Sequence, residues 1–410
     1  MATEIDQERV VKALGKISRE QLIELETCAH CAICADYCPT FIGSKEVSQA
    51  PSVRSSMLLK IYDKKKSLIS RFLGTKSVTR KDIEALTVSA FNCTMCARCM
   101  EACPFHLRTT SLWQTCRNLV RELGVRQKSI ERLEEQLKEK RNPYGLDAET
   151  RLDWADFTGL EAAPRKVVAK TAFFVGCTTA YKGATQGIAH DLGSIMNVLG
   201  EDWTLLGEDE WCCGSPLIMA GDEEGAREYI DHNIETLKRK GISRVLTSCS
   251  GCFRALKWEY PDILGGPLPF KVLHSSEYIW EKISAGELKP EPLDERVAYH
   301  DPCELARLGG VMDAPRQVIK SFANDYVELP ENRLDSRCCG GGGLLQSVNN
   351  PLRMAVVKRR LEQVKESGAK ILTSGCPACK LAFVDGVREE GLDFEVMDIV
   401  ELVASQINKK

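Results

Sequence analysis

The sequence predicts an α+β multidomain protein, with a helical N-terminal domain followed by two duplicated α/β domains built on parallel sheets. Three observations carry this. One cysteine run occurs twice near the start, as Cys28-x-x-Cys31-x-x-Cys34-x-x-x-Cys38-Pro39 and Cys93-x-x-Cys96-x-x-Cys99-x-x-x-Cys103-Pro104. Further on, Cys177, Cys212-Cys213-Gly214 and Cys249-x-x-Cys252 recur as Cys303, Cys338-Cys339-Gly340 and Cys376-x-x-Cys379. The offset is 126 residues for the first three thiols and 127 for the last two, so one inserted residue separates two copies. From Lys166 onward, short apolar strands alternate with helical periods, which is the pattern of parallel sheets covered by helices.

Composition sets the bounds. A chain of 410 residues is too long for one ordinary core and suggests two or three domains. Lys and Arg number 55 against 58 Asp and Glu, a net charge of −3, which argues for neither a nucleic-acid nor an anionic-membrane surface. The opening MATEIDQERVVKALGK has no uninterrupted apolar region and reads as no secretory signal. No run of about 18 apolar residues occurs, so no membrane span of its own is expected. Nineteen cysteines in a chain with its own cores, many in C-x-x-C groups, point to metal or redox work in a reducing cytoplasm rather than to disulfides. A peripheral seat on a membrane complex stays open.

In order along the chain, Val10, Val11, Leu14, Ile17, Leu22, Ile23 and Leu25 recur at helical spacing, with a break near Gly15–Ser18. The doubled eight-cysteine run is the bacterial ferredoxin pattern. A tight C-x-x-C-x-x-C loop lets three thiolates reach three irons of a cubane, and the fourth cysteine of each run serves the other cluster. Cys28, Cys31, Cys34 and Cys103 are therefore expected to hold one [4Fe–4S] centre, and Cys93, Cys96, Cys99 and Cys38 the second. A zinc site or disulfide knot is the bland alternative, and doubling of the pattern with both prolines weighs against it. Gln49–Lys60, a proline turn then a helix, and the basic stretch Leu68–Arg80 resemble the helical insert between the cysteine runs of succinate-dehydrogenase-like iron–sulfur subunits. His30 and His106 are expected to be spacers.

Helices are predicted over Leu112–Leu123 and Gln127–Lys140, the latter stopped by Arg141-Asn-Pro-Tyr-Gly145. The N-terminal domain is thus placed at 1–140, and 141–165 reads as an extended linker anchored by Tyr144, Trp154 and Phe157. The first α/β domain spans 166–290, with strands at Lys170–Val175, Trp203–Leu206 and Arg244–Thr247 and helices at Gly187–Leu199 and Glu223–Lys240. The second spans 291–410, with strands at Val297–His300, Tyr326–Leu329 and Lys370–Thr373 and helices at Arg316–Phe322 and Pro351–Ser367. The tails match as well, FKVLHSSEYIWEKI from Phe270 against FEVMDIVELVASQI from Phe394. Cys177, Cys249, Cys303 and Cys376 fall at the carboxyl ends of strands, where such sheets bind ligands.

Each repeat offers five thiols where a cubane needs four. A vicinal pair cannot put both sulfurs on one small cubane without strain, but it can hold two neighbouring irons or one iron shared between two smaller units. Glycine after each pair, and the run Gly340–Gly343, admit close backbone approach and φ > 0. Thiolate softness selects iron–sulfur or zinc, and an unusual iron–sulfur cluster in each repeat is expected.

With SCSGC at 248–252 and HDPC at 300–303, this doubled pattern resembles the paired cysteine-rich (CCG) domains of heterodisulfide reductase. The ferredoxin runs on the same chain extend the likeness to the fused form of that enzyme, in which its ferredoxin-like and catalytic subunits are joined. The resemblance implies a non-cubane [4Fe–4S] cluster on Cys177, Cys212, Cys213, Cys249 and Cys252. It implies another on Cys303, Cys338, Cys339, Cys376 and Cys379, the two facing each other across a substrate disulfide. Electron-carrier relatives of glycolate, lactate or glycerol-3-phosphate oxidation commonly lack some of these cysteines, and none is missing here.

The expected function is therefore reduction of a disulfide, with electrons passing from the cubanes to the non-cubane pair. The alternatives are an electron-transfer subunit with no disulfide substrate, and a structural zinc protein, which the ferredoxin runs oppose. Thioredoxin-like exchange needs an unmetallated thiolate. His300, three residues before Cys303, is the candidate catalytic proton donor. Arg254, Lys257 and Lys380 could attract an anionic substrate or solvate a helix start. His190, His232 and His274 carry no pattern, and Cys116 reads as a buried helix thiol. No G-x-G-x-x-G follows a strand and no P-loop occurs, so a flavoprotein or membrane b-type cytochrome partner must exchange the electrons.

Overall fold

The structure, a computed structural model, describes residues 5–66, 77–157 and 163–407. It divides into two compact units. The first is Met1–Arg132 with two later segments, Pro216–Glu223 and Gly340–Val356; the second is Leu133–Ser215, Glu224–Cys339 and Val357–Lys410. Both later segments begin within three residues of a vicinal cysteine pair.

Helices build the first unit, and local signals start them. Asp6 caps Gln7–Leu14, and capping boxes Ser18/Gln21 and Thr79/Asp82 open Arg19–Thr27 and Arg80–Phe91. Val10, Leu14 and Leu25 are buried while Val11 and Ile23 are exposed, as each helix turns one face inward. The proline turn starts a helix at Pro51–Lys66, longer than expected, and the chain continues through Thr109–Glu122 and Lys128–Lys140. Of the basic stretch Leu68–Arg80, residues 68–76 lie outside the described residues. Leu58, Ile83, Leu86, Phe91, Trp113 and Val120 form the apolar interior, which Ala220, Leu344 and Val348 of the two later segments join.

The second unit holds two four-stranded parallel sheets. Strands β1 (Thr171–Phe173), β2 (Trp203–Leu205), β3 (Arg244–Thr247) and β4 (Lys271–His274) lie in the order β2-β1-β3-β4. Strands β5 (Val297–His300), β6 (Tyr326–Glu328), β7 (Ile371–Ser374) and β8 (Glu395–Asp398) repeat it as β6-β5-β7-β8. Registers match too: Ala172 faces Thr204 and Val245, and Ala298 faces Val327 and Leu372.

The order reverses between β1 and β3, and again between β5 and β7, so each sheet has a crevice at the carboxyl ends of those strands. Both edge strands β4 and β8 lie inside the matching tails that sequence aligned without assigning. Four-residue segments flanked by a charged first residue carry little periodicity of their own.

Helix packing is reciprocal. Gly183–Val198 of the first repeat rests on Ile399–Ile407 of the second, while Ser275–Ser284 of the first rests on Asp313–Lys320 of the second. Phe173, Val175 and Leu246 consequently share one apolar core with Val297, Tyr299, Ile371 and Val403. Neither repeat can leave without exposing the other's interior, and burial of this kind contributes about 25 cal/mol per Å² of apolar surface.

The segment read as a linker is short helix: Ala148–Leu152 and Asp153–Phe157. Trp154 is buried and Tyr144 hydrogen-bonds Thr178, as anchors should, and the side chain of Phe157 lies outside the described residues.

Candidate metal centres

In the first unit, both ferredoxin-type runs bend the backbone in the same way. His30 and Ala32 have φ of 51° and 65°, and the matching Met95 and Ala97 have 55° and 60°. A left-handed non-glycine residue costs about 1–3 kcal/mol, so its recurrence at matched positions marks a required loop geometry. Alternating hands turn successive N–H groups toward one concavity suited to an anion.

Cys28, Cys31, Cys34 and Cys103 line one pocket together with Cys99, Leu112 and Trp113. Burial, then its neighbours Cys28, Cys38 and Cys31, pushes the Cys34 thiol up to about 11. Around Cys99, burial and then Cys38, Cys93 and Cys96 raise the thiol likewise. Thiols so crowded stay protonated until a cation takes the proton's place, which suits iron. His30 sits within hydrogen-bond reach of Ser56 and Ser52, in keeping with a spacer. Cys116 is fully buried, as a core thiol.

Arg54 and Arg117 of this unit are completely buried. Arg54 donates to Ser89 and to the Gln49 carbonyl, and its Nη1 has no partner. Arg117 donates to the carbonyls of Ala90, Cys93, Met219 and Gly343, at 2.7–3.1 Å. Neither meets a carboxylate among the described residues, and a buried cation without a counter-charge is costly. An anionic cluster on Cys93, Cys96, Cys99 and Cys38 fits that deficit.

Gly343, φ 65°, belongs here: a Cβ would stand 2.4 Å from the Cys93 carbonyl oxygen. The glycine run thus allows close packing on the ferredoxin-type loop, a different use from the approach to an inorganic core that sequence suggested. Gly214 and Gly340 both have φ 81°, as expected after the vicinal pairs.

In the second unit, eight thiols form a connected series. Cys177 neighbours Cys212, which neighbours Cys213, then Cys252, then Cys249. Cys249 meets Cys376 of the other repeat, followed by Cys379 and Cys339, the last two sulfurs 3.0 Å apart. Cys303 opens the loop after β5, and Cys338 is buried beside Cys339. The five thiols of each repeat follow the carboxyl ends of the first three strands of its sheet, with Cys252 and Cys379 in the helices Ser250–Arg254 and Pro377–Glu390. No disulfide joins any of the described cysteines.

Sequence reasoning missed what surrounds them. Arg151, from the presumed linker, donates to Cys177 Sγ at 3.4 Å and to Glu210 at 2.7 Å; both side chains are almost fully buried. Glu210 also accepts the N–H groups of Val175 and Gly176, fixing the loop that carries Cys177. Its place two residues before Cys212 was the available signal.

His274, passed over for want of a pattern, ends β4 and stands within 3.3 Å of the Ser248 carbonyl and 3.0 Å of the Gly375 carbonyl. Ser250 Oγ reaches Gly375 as well, at 2.6 Å. Both C-x-x-C loops are therefore tied across the repeats by one ring, which burial holds neutral by pushing it down to about 4. A Cβ on Gly375 would stand 2.8 Å from that ring.

His300 is buried at the end of β5. Its Nδ1 accepts from Arg360 Nε at 3.2 Å, and its Nε2 has no hydrogen-bond partner. A ring nitrogen and the sulfurs of Cys339 and Cys379 all lie within 4.8 Å of one another. Burial, then Arg360, pushes the imidazole down to about 3.

Glu304, next to Cys303, pairs with Arg254 at 3.5 Å and overlies Gly251 of the first C-x-x-C loop. The three cations following the C-x-x-C groups are all engaged: Arg254 with Glu259 and Glu304, Lys257 with Glu277, Lys380 with Glu401.

Comparison with known proteins agrees with this geometry. Residues 24–107 match the 4Fe-4S dicluster domain, and residues 171–257 and 297–384 each match the cysteine-rich domain. The chain is 34% identical to a subunit of the Dihydromethanophenazine:CoB--CoM heterodisulfide reductase of Methanosarcina acetivorans, over 94% of this chain and 95% of that one. It is 23% identical to EtfAB:quinone oxidoreductase of Syntrophomonas wolfei, over 94% of this chain and 58% of that one.

Among solved structures, a hypothetical protein from Helicobacter pylori shares the fold at a TM-score of 0.54 and 11% identity, over 99% of this chain and 77% of that one. No described helix is long and apolar enough to cross a membrane. Doubled thiol sets, a dicluster domain before them and identity along nearly the whole length lead to one assignment: the chain belongs to the heterodisulfide reductase family, in its fused dicluster and cysteine-rich form, as an iron–sulfur oxidoreductase subunit.

Proposed function

We propose that the chain takes electrons through two [4Fe–4S] cubanes into two non-cubane [4Fe–4S] clusters and reduces a disulfide with them. Two electrons and two protons convert one S–S bond into two thiols. The observation that carries the reading is the connected series of thiols in which Cys249 of one repeat meets Cys376 of the other. Cys28, Cys31, Cys34 and Cys103 are the proposed ligands of one cubane, and Cys93, Cys96, Cys99 and Cys38 of the other. The five thiols of each repeat are the proposed ligands of one non-cubane cluster. When bound, these groups supply one-electron carriers in series. The chain's own contribution is placement: His274 and Ser250 hold the two C-x-x-C loops against each other, and Arg151 fixes Cys177. A flavoprotein or b-type cytochrome subunit is the proposed electron partner.

One observation favours a second reading, electron relay without a disulfide. Arg254, Lys257 and Lys380 are each matched to an acid, which leaves none of the three to hold an anionic substrate. A relative whose name pairs EtfAB with quinone fits that role.

Iron and sulfide analysis with EPR on the chain purified without oxygen separates them. About sixteen irons and a signal that appears on adding a thiol disulfide and an oxidant support the reductase. A full complement with no disulfide-dependent signal moves the assignment to relay, and about eight irons removes the non-cubane clusters altogether.

A further inference from the structure

The ten ligand thiols of the two repeats match one for one, but their surroundings do not. At the position 126 residues before His300 stands Phe174, buried and without a polar atom. At this position the second repeat has an imidazole and the first has none; the first repeat's His274 stands instead against the Ser248 and Gly375 carbonyls.

The tautomer of that imidazole follows from its neighbour. A guanidinium has donors alone, so the nitrogen facing Arg360 must offer a lone pair. The ring is then neutral, with its hydrogen on Nε2. Arg360 is itself fixed by the Pro330 carbonyl at 2.8 Å and Gln363 at 2.6 Å, and the edge-to-face contact with Phe383, centroids 4.9 Å apart, holds the ring plane.

Nε2–H is left buried and unpartnered, which costs about 1–3 kcal/mol unless an acceptor arrives. A ring nitrogen lies within 4.8 Å of the Cys339 and Cys379 sulfurs, which, with whatever inorganic sulfide those thiols hold, are the candidate acceptors. The same tautomer prevents His300 from ligating iron through Nε2. It also works against a proton-donor role, because Arg360 occupies the Nδ1 lone pair and so keeps the ring from forming the imidazolium that acts as the acid.

We propose that His300 is a positioning residue whose Nε2–H donates a fixed hydrogen bond to the sulfur of the second-repeat cluster, raising that cluster's reduction potential. This rests on the reading that Cys303, Cys338, Cys339, Cys376 and Cys379 hold a cluster. A donor on sulfur stabilises the more negative, reduced state, and hydrogen bonds to sulfur are a principal setting of such potentials.

The test is an EPR-monitored redox titration of the cluster-loaded full chain, with the second-repeat signal identified as the one lost in Cys339→Ser. In His300→Phe, which copies the first repeat, that signal moves to lower potential while the other non-cubane signal and the cubanes stay in place. In His300→Gln, which keeps an N–H, the shift is smaller. Electron–nuclear double resonance in D2O finds an exchangeable proton coupled to the second-repeat signal in the native chain. An unchanged potential in His300→Phe overturns the proposal, and so does the absence of that proton coupling, which decides the matter if the Phe variant loses the cluster. A native chain in which Cys339→Ser removes no signal overturns the underlying reading instead.

Discussion

Arg117 offers the sharpest test of how the first unit is held together. Its guanidinium satisfies four carbonyls from three parts of the chain: Ala90 near the end of the helix Arg80–Phe91 and Cys93 just beyond it, Met219 after the first vicinal pair, and Gly343 after the second. Replacement by Met keeps the apolar stem and removes every donor. Four buried carbonyls each losing a partner, at about 1 kcal/mol or more apiece, give about 4 kcal/mol. Relief of the buried, uncompensated charge offsets part of this, leaving about 3 kcal/mol, or about a hundredfold in an opening equilibrium. Native-state hydrogen exchange reads it directly. Amides of Pro216–Glu223 and Gly340–Val356 should lose about a hundredfold of protection together, while β3 and β7 keep theirs. Protection retained in both segments, or lost in one alone, would refute the idea that a single side chain clasps both.

Other changes separate the remaining parts. Cys339→Ser should remove one non-cubane signal and spare the cubanes, and loss of the cubane signals in its place would mean the ligands are wrongly partitioned. Arg151→Gln leaves Glu210 buried without its cation, which should destabilise the chain by about 3 kcal/mol in a denaturant titration. The double variant with Glu210→Gln should recover part of that, and no recovery would count against the pair.

His274 predicts a pH dependence. Its pKa is about 4 folded against 6.5 unfolded, so the unfolded chain binds the extra proton below pH 6.5. The stability this group contributes is complete above that value and is lost as pH falls toward 4, at about 1.4 kcal/mol per pH unit. Buried Glu304, held up to about 7 by burial, acts in the opposite sense, so the difference between native chain and His274→Gln is the quantity to measure. A difference that does not vary between pH 7.5 and 5 would rule the mechanism out.

Legibility in the sequence followed the chemistry of each residue. Cysteine spacing disclosed the duplication and the strand-end placement of the thiols, because a ligand set tolerates almost no drift along the chain. Short buried strands such as Val297–His300 and Arg244–Thr247 were also plain, bounded as they are by cysteine loops. Edge strands β4 and β8 were not, since no cysteine loop follows either of them to mark its end. Arg151 and His274 were hidden for another reason: each acts on a cysteine loop far away in sequence, Cys177 or Gly375, and nothing local records such a pairing. The segments Pro216–Glu223 and Gly340–Val356 were hidden likewise, for the sequence assigns them to the repeats that encode them and the structure to the ferredoxin-type unit.

A duplicated thiol set raises the question of how its halves come to differ. On the proposed assignment, in which five thiols per repeat hold one cluster, the inner chemistry is the same twice, and any difference in potential comes from outside the ligands. Here each half has its own donor, drawn from a different source. The first set has Arg151, a cation from before the repeats, within 3.4 Å of Cys177; the second has the neutral ring of His300, held by Arg360. The two donors sit on different elements, the Ala148–Leu152 helix and the end of β5, and share no partner, so their effects should add. Arg151→Gln should therefore lower the potential of the first-repeat cluster alone, and His300→Phe that of the second alone. Equal movement of both signals in either variant would mean that the clusters titrate as one coupled unit, and the duplication would then serve to make a single two-electron site.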